Sequence, residues 1–291
     1  MAMLQDANRK QISTRRKIDF CLHILFVIAT LIGIVALMAL LVNIMMDGLS
    51  RLNLDLFTNY PSRRPAAAGM KSAIVGSIYM VLIMAPISFI LGVGAAIYLE
   101  EYARKNALTR FIQLNISTLA GVPSIVYGIL GLTIFVRGMS LDRSLLSGAL
   151  TMTLLVLPII IVSSQEAIRA VPKTRRDASF ALGATKWQTV SRSVMPSAIS
   201  GILTGVILAL SRAIGETAPL VMIGALTFVA FLPNSILDQF TVMPIQIFNW
   251  VSRPQLAFHE LAAAGIIVLL VLLILMNLSA VLLRNKYQKN R

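Results

Sequence analysis

The sequence predicts an all-α, polytopic membrane protein with six transmembrane helices, on three observations. Of its 291 residues, 57% are hydrophobic and only 13% are charged, whereas an ordinary soluble domain carries about 25% charged residues. Six apolar runs each reach the length of about 20 residues that a helix needs to cross a bilayer. The 26 Lys and Arg residues lie almost entirely between those runs. This composition excludes a typical cytosolic enzyme, a disordered regulator and a fibrous protein. A net charge of +14 would suggest a nucleic-acid partner in a soluble chain. Here membrane topology accounts for it, and no nucleic-acid partner is expected. A single cysteine, Cys21, leaves no internal disulfide and no cysteine-based metal site.

The runs are 21–46, 74–99, 111–136, 145–164, 198–229 and 262–283. In lipid every backbone polar group must be satisfied within its own segment, so these runs are helices. The alternating pattern of a membrane β-barrel is absent. The first run follows Arg15-Arg16-Lys17 and is much longer than the apolar core of about 7–15 residues in a cleaved signal peptide. It is therefore expected to remain as an anchor.

Connections 1–18, 100–110, 165–197 and 284–291 hold 18 basic residues, against 7 in 47–71, 137–144 and 232–258. Positive charge marks the cytoplasmic side, which places both termini and the 165–197 connection there. The chain reads as one transmembrane domain, 1–291, with 165–197 as a cytoplasmic loop within it. Connection 47–73 carries turn residues (Asn59, Pro61, Pro65, Gly69). Connection 230–261, with Pro233, Pro244, Trp250 and Pro254, is apolar enough to fold back on the membrane surface. Gly121, Pro123 and Gly128 interrupt the third run, for bending, close packing or a gating hinge. His23 and His259 read as interfacial residues and Cys21 as an apolar filler.

In the 165–197 loop, Pro172 breaks the incoming helix. Residues 174–182 favour helix, and Gly183 suits a C-terminal turn. A second short helix is expected from about Thr185, stopped by Pro196. Phe180, Leu182 and Trp187 are apolar among basic neighbours. The residues alone leave two plain readings open, a solvated basic loop and an amphipathic surface helix.

Asp177-Ala178-Ser179, then Gly183 after three intervening residues and Ser193-Val194-Met195-Pro196 after nine more, resembles the EAA…G signature of ABC-importer permeases. The departures are Asp177 for Glu, Ser179 for the second Ala, Ser193 for an aliphatic residue and Met195 for Leu. In that family the loop is a coupling helix seated in a groove of the cytoplasmic ATPase. The resemblance thus implies that Asp177, Ala178, Ser179, Leu182, Gly183, Lys186 and Trp187 couple this chain to an ATPase.

The fifth run carries Arg212 and Glu216, although a charge at bilayer depth costs at least about 2.5–3.5 kcal/mol. At i,i+4 on a helix the two side chains can pair. Gly201, Gly205 and Ala209 fall on the same face by helical rotation, and Gly201-x-x-x-Gly205 permits close helix approach. That face is expected to meet protein or a water-filled path. One reading is a structural ion pair locking two helices. The other is an anion site, in which guanidinium donates to oxyanion oxygens. A carboxylate beside it repels a fully ionised anion such as sulfate but can accept from the P–OH that phosphate retains near neutral pH. Glu166 and Arg169, at i,i+3 where the fourth run ends, read either as an interfacial salt bridge or as an inner anion station.

Arg212-Ala213-Ile214-Gly215-Glu216-Thr217-Ala218-Pro219 also resembles the phosphate (PstA-type) branch of the ABC-importer permeases. So do 121–128 (GVPSIVYG), 166–172 (EAIRAVP) and 181–188 (ALGATKWQ). The resemblance implies a type I importer-permease fold, substrate binding by Arg212, Glu216 and Thr217, and a place in the inner membrane of a prokaryote. It further implies three partners besides membrane lipids: a second permease subunit, a cytoplasmic ATPase dimer and an extracytoplasmic phosphate-binding protein.

No phosphate loop, nucleophile elbow or metal-spaced cluster occurs in the sequence. ATP and Mg are therefore expected on the partner, with no cofactor on this chain and no enzyme activity of its own. The competing classes are a permease for sulfate or molybdate, a self-sufficient secondary transporter, which usually shows inverted repeats, and a scaffold without a pathway.

Overall fold

The computed structural model describes the backbone of residues 2–225 and 228–289, and side chains from Asp19 onward except at 226, 227, 280, 283 and 286–291. The basic flank Arg15-Arg16-Lys17 and part of the predicted fifth run (226–227) lie outside the described side chains. The described chain is mainly helical, with its longest non-helical connection between Met222 and Met243, and its β-pairing among the described residues is one isolated bridge, Ser144 to Gln239.

The centre is α6 (Leu145–Arg169), which packs between α3 (Lys71–Ile97) and α9 (Met195–Gly215). Two of its buried hydroxyls are satisfied within the helix: Thr151 and Thr153 donate to the carbonyls of Ser147 and Ala149 one turn back. Ser144 caps its N-terminus by accepting from the Ser147 N–H. Along α9, Gly201 and Gly205 face α6. A Cβ on Gly201 would stand 2.8 Å from that of Ala167, and one on Gly205 would collide with Ser163. The small-residue face therefore serves close packing of α9 on α6.

α1 (Ala2–Gly48) packs along α12 (Leu256–Lys289), and the rest of its apolar surface is uncovered in this chain. Asn277 of α12 accepts a hydrogen bond from Ser211 of α9, and Arg284 donates to Thr204 at 3.1 Å two turns away. A second core gathers where α2 (Leu54–Thr58) and α11 (Met243–Val251) meet α12, around Leu56, Met70, Trp250 and Phe258. α11 lies in the connection expected on the membrane surface. Its Met243, Ile245 and Trp250 are instead fully buried.

Among the described residues five helices are long and apolar enough to cross a membrane, and the third predicted run is the sixth when its two pieces are taken as one span. That run is broken. α4 (Ala107–Leu119) and α5 (Ser124–Gly131, extended by a π-helical turn to Gly138) meet at 107°. Pro123 sits at the break with φ −55° and ψ 136° and has no N–H to continue the ladder.

The fifth run also differs from expectation. α9 ends at Gly215, and the short α10 (Ala218–Met222) follows after a turn. Pro219 explains the stop: in a continued helix its ring would clash with the carbonyl four residues back. Pro196, expected to end a helix, does not. It falls in the first turn of α9, after a π-helical turn over Val190–Val194, inside an unbroken helical segment Lys186–Gly215. The π-helical turn before it shifts the hydrogen-bond ladder at the place where the proline has no N–H to give, and the helix runs on.

Candidate functional site

The chemistry-bearing residues lie in two places. At the end of α9, Arg212 occupies the last turn, while Glu216 is already non-helical (φ −77°, ψ 128°) and donates its N–H to Ala213 O. The expected pair forms, with Arg212 Nε 3.5 Å from Glu216 Oε1. That contact is coulombic and too long for a charge-assisted hydrogen bond. The Arg212 side chain is 62% exposed and that of Glu216 21%. Among the described residues nothing else accepts from the Arg212 guanidinium, so its donors are open. Thr217 begins α10, and its side chain caps nothing. α10 is held in place by α5, where Gly128 lies against the Pro219 backbone and Met222. Gly128 thus fixes the turn that presents Glu216 and Thr217.

The second place is the 165–197 connection. α7 (Lys173–Ala181) starts after Pro172 and ends at a turn in which Gly183 takes φ +78°, a conformation that favours glycine. α8 (Lys186–Thr189) opens with a reciprocal cap between Thr185 and Gln188. Ser179 and Thr189 share a hydrogen bond of 2.9 Å, and Arg175 donates to Ser197 Oγ at 2.6 Å. These bonds fold the two short helices onto the base of α9. Asp177, Ala178 and Gly183 are exposed and Ser179 half-buried. Leu182 is 89% exposed and Trp187 67%, and Phe180 is exposed beside them. Lys186 stands over the Tyr102 ring.

Glu166 and Arg169 pair at 2.9 Å as expected, but Arg169 also binds Glu100 at 2.5 Å. One guanidinium is therefore shared by two carboxylates. Arg176 makes a similar junction with Glu101 at 2.9 Å. The Glu100 and Glu101 contacts were missed in the sequence, because their partners stand 69 and 75 residues away. The adjacent acids in an otherwise basic connection were the one visible signal. Among the described residues no group of His, Cys, Asp and Glu could hold a metal ion.

Residues 88–289 match the family described as binding-protein-dependent transport system inner membrane component. Similar proteins include a phosphate transport system permease protein PstA of Yersinia pestis, 32% identical over 280 residues, covering 96% of this chain and 94% of that one. The probable ABC transporter permease protein YqgI of Bacillus subtilis is 39% identical over 184 residues, 63% of each chain. Among solved structures, a bacterial alginate ABC transporter in complex with its alginate pentasaccharide-bound periplasmic protein superposes with TM-score 0.67 at 13% identity, over 91% of this chain and 93% of that one. The inward-facing methionine transporter MetNI superposes with TM-score 0.62 at 15% identity, over 74% and 94%. Their identity is low, and what they share with this chain is the ABC-importer permease fold. By the family match and the full-length likeness to the Yersinia protein, this chain belongs to the binding-protein-dependent transport system inner membrane components.

Proposed function

We propose that this chain is one of two permease subunits of an ATP-driven importer of inorganic phosphate in a prokaryotic inner membrane. The observation that carries the proposal is the open guanidinium of Arg212 beside the carboxylate of Glu216 at the end of α9. Full-length similarity to proteins named as phosphate transport permeases supports the choice of anion. A protonated oxyanion can accept from Arg212 and donate to Glu216, with Thr217 as a further hydroxyl partner. Sulfate has no proton to give and meets only repulsion from the acid.

The rest of the chain fits the same reading. The exposed apolar group Phe180, Leu182 and Trp187 suits burial in an ATPase groove, with Asp177, Ala178, Ser179, Gly183 and Lys186 at its edge. ATP and Mg would be held by that ATPase and not by this chain. The uncovered length of α1 suits packing against a second permease. The excess of Lys and Arg on the side of the 165–197 loop places that loop, and both termini, in the cytoplasm. An extracytoplasmic phosphate-binding protein would then deliver its ligand at the opposite face. For Glu166 and Arg169 an anchoring role fits better than an anion station, since Arg169 already faces two carboxylates.

The test is phosphate uptake by vesicles holding the complete transporter, with and without ATP, for the parent and Arg212→Gln. Uptake that requires ATP and falls at least tenfold in the variant is expected. Equal uptake without ATP would overturn the ATP-driven reading, and full activity of the variant would overturn the site.

A further inference from the structure

A π-helical turn, Tyr98–Tyr102, prolongs α3, and its last three residues each hold one cation of the 165–197 connection. Glu100 accepts from Arg169, Glu101 from Arg176, and the Tyr102 ring lies 5.0 Å from the Lys186 ammonium. The middle contact has the most hydrogen bonds. Arg176 gives Nη2 and Nε to Glu101 Oε1 at 2.9 and 3.2 Å, Nη1 to Val171 O at 2.7 Å and Nη2 to Ile168 O at 2.9 Å. One guanidinium thus closes the carbonyl end of α6 and joins it to both α3 and α7. Exposed ion pairs contribute little, but the Glu101 and Arg176 side chains are only 12% and 19% exposed.

The covalent chain already ties α7–α8 to α6 on one side and α9 on the other. It makes no such tie to α3, whose end is attached to α7 through Arg176 and to α8 through Lys186, while Arg169 ties it to the last residue of α6. From that end the chain itself continues: the 103–106 link enters the exposed α4, the bend leads to α5, and there Gly128 packs on Pro219 and Met222 of α10, next to Glu216 and Thr217.

We propose that Glu101 and Arg176, flanked by Glu100 and Tyr102, are positioning residues that make the end of α3 move with α7–α8, so that displacement of the loop reaches the Glu216 turn through α4, α5 and α10. The inference rests on the reading of α7–α8 as the ATPase-coupling segment.

The experiment uses the complete reconstituted transporter and compares the parent, Glu101→Gln, Arg176→Gln and the charge swap Glu101→Arg with Arg176→Glu. Phosphate moved and ATP hydrolysed are measured in the same vesicles. Each single variant is expected to lower phosphate moved per ATP at least fivefold while hydrolysis stays within about twofold of the parent, and the swap to recover at least half of the parent ratio. A ratio unchanged in the single variants overturns the proposal. So does a parallel fall of uptake and hydrolysis, which marks a folding or assembly role, or a lowered ratio that the swap leaves low.

A cargo-independent measurement separates this outcome from failure of the phosphate reading. With Cys21→Ser, spin labels at Leu91→Cys on α3 and Leu208→Cys on α9, both exposed, are expected to change separation on ATP addition in the parent and not in Glu101→Gln. The same change in both overturns the clamp, whatever anion is carried.

Discussion

Arg212 Nε stands 3.5 Å from Glu216 Oε1 across the point where α9 ends, so the two charges face each other without a hydrogen bond between them. An ordinary guanidinium–carboxylate hydrogen bond is about 2.7–2.9 Å long. The gap leaves donors on one side and an acceptor on the other for a third group that can meet both. Glu216→Gln keeps the size and gives the position N–H donors. It is expected to reduce the preference for phosphate over sulfate at least tenfold, or about 1.4 kcal/mol, read as the ratio of competing uptakes. An unchanged ratio would remove Glu216 from selectivity.

Leu182 and Trp187 leave their apolar side chains largely exposed on a loop that is otherwise braced by Ser179, Thr189 and Arg175. Aromatic anchors dominate many interfaces, and truncating one costs about 2 kcal/mol or more. Trp187→Ala is therefore expected to weaken co-purification with the ATPase at least tenfold. Because the side chain packs on little within this chain, the melting temperature of the isolated permease is expected to stay the same. Loss of both together would assign Trp187 to the fold instead.

How far the sequence could be read depended on the range of the interaction. Hydropathy locates a span from its own residues, and the turn at Gly183 and the helix start at Thr185 are equally local. The two prolines show the limit of composition. Pro219 stands in an apolar run that hydropathy carries on to 229, yet its missing N–H and its ring end α9 at Gly215. Pro196 looks like the same signal, but it follows a π-helical turn and the helix runs on through it. The Glu101–Arg176 contact was beyond any local reading, because it depends on how α3 and α7 are brought together over 75 residues. Burial of α11 is similar: its apolar residues fit a membrane surface and a helix bundle equally well.

Two glycines within helices are expected to respond to alanine with opposite sign. Gly94 of α3 has no atom within 4 Å of an added Cβ, so Gly94→Ala gains helix propensity worth up to about 1 kcal/mol. At Gly128 the added Cβ would stand 2.7 Å from the Met222 Cβ and 2.8 Å from the Pro219 backbone. Overpacking of this kind costs about 1–3 kcal/mol, and Gly128→Ala also pushes on the turn that carries Glu216. Thermal unfolding in detergent is expected to rise slightly for the first and fall for the second, and only the second is expected to lose uptake. A stabilised Gly128→Ala would show that α5 and α10 are not in contact in the membrane.

The polar links between α9 and α12 give a prediction about assembly within lipid. Ser211 donates to Asn277, and Arg284 donates to Thr204. Moving seven residues along each helix, in opposite directions, leads from one link to the other. Two full turns of antiparallel packing are thus registered by side-chain hydrogen bonds. Such bonds average about 0.6 kcal/mol and reach about 1.7 kcal/mol by double-mutant cycles in a membrane bundle, because the separated helices also find partners. Asn277→Leu and Ser211→Ala are each expected to lower stability by an amount in that range. The double variant is expected to lose less than the sum, since each single change already breaks the same bond. Unfolding in mixed micelles measures all three. Strict additivity would mean that Ser211 and Asn277 do not meet and that α12 is registered against α9 by packing alone.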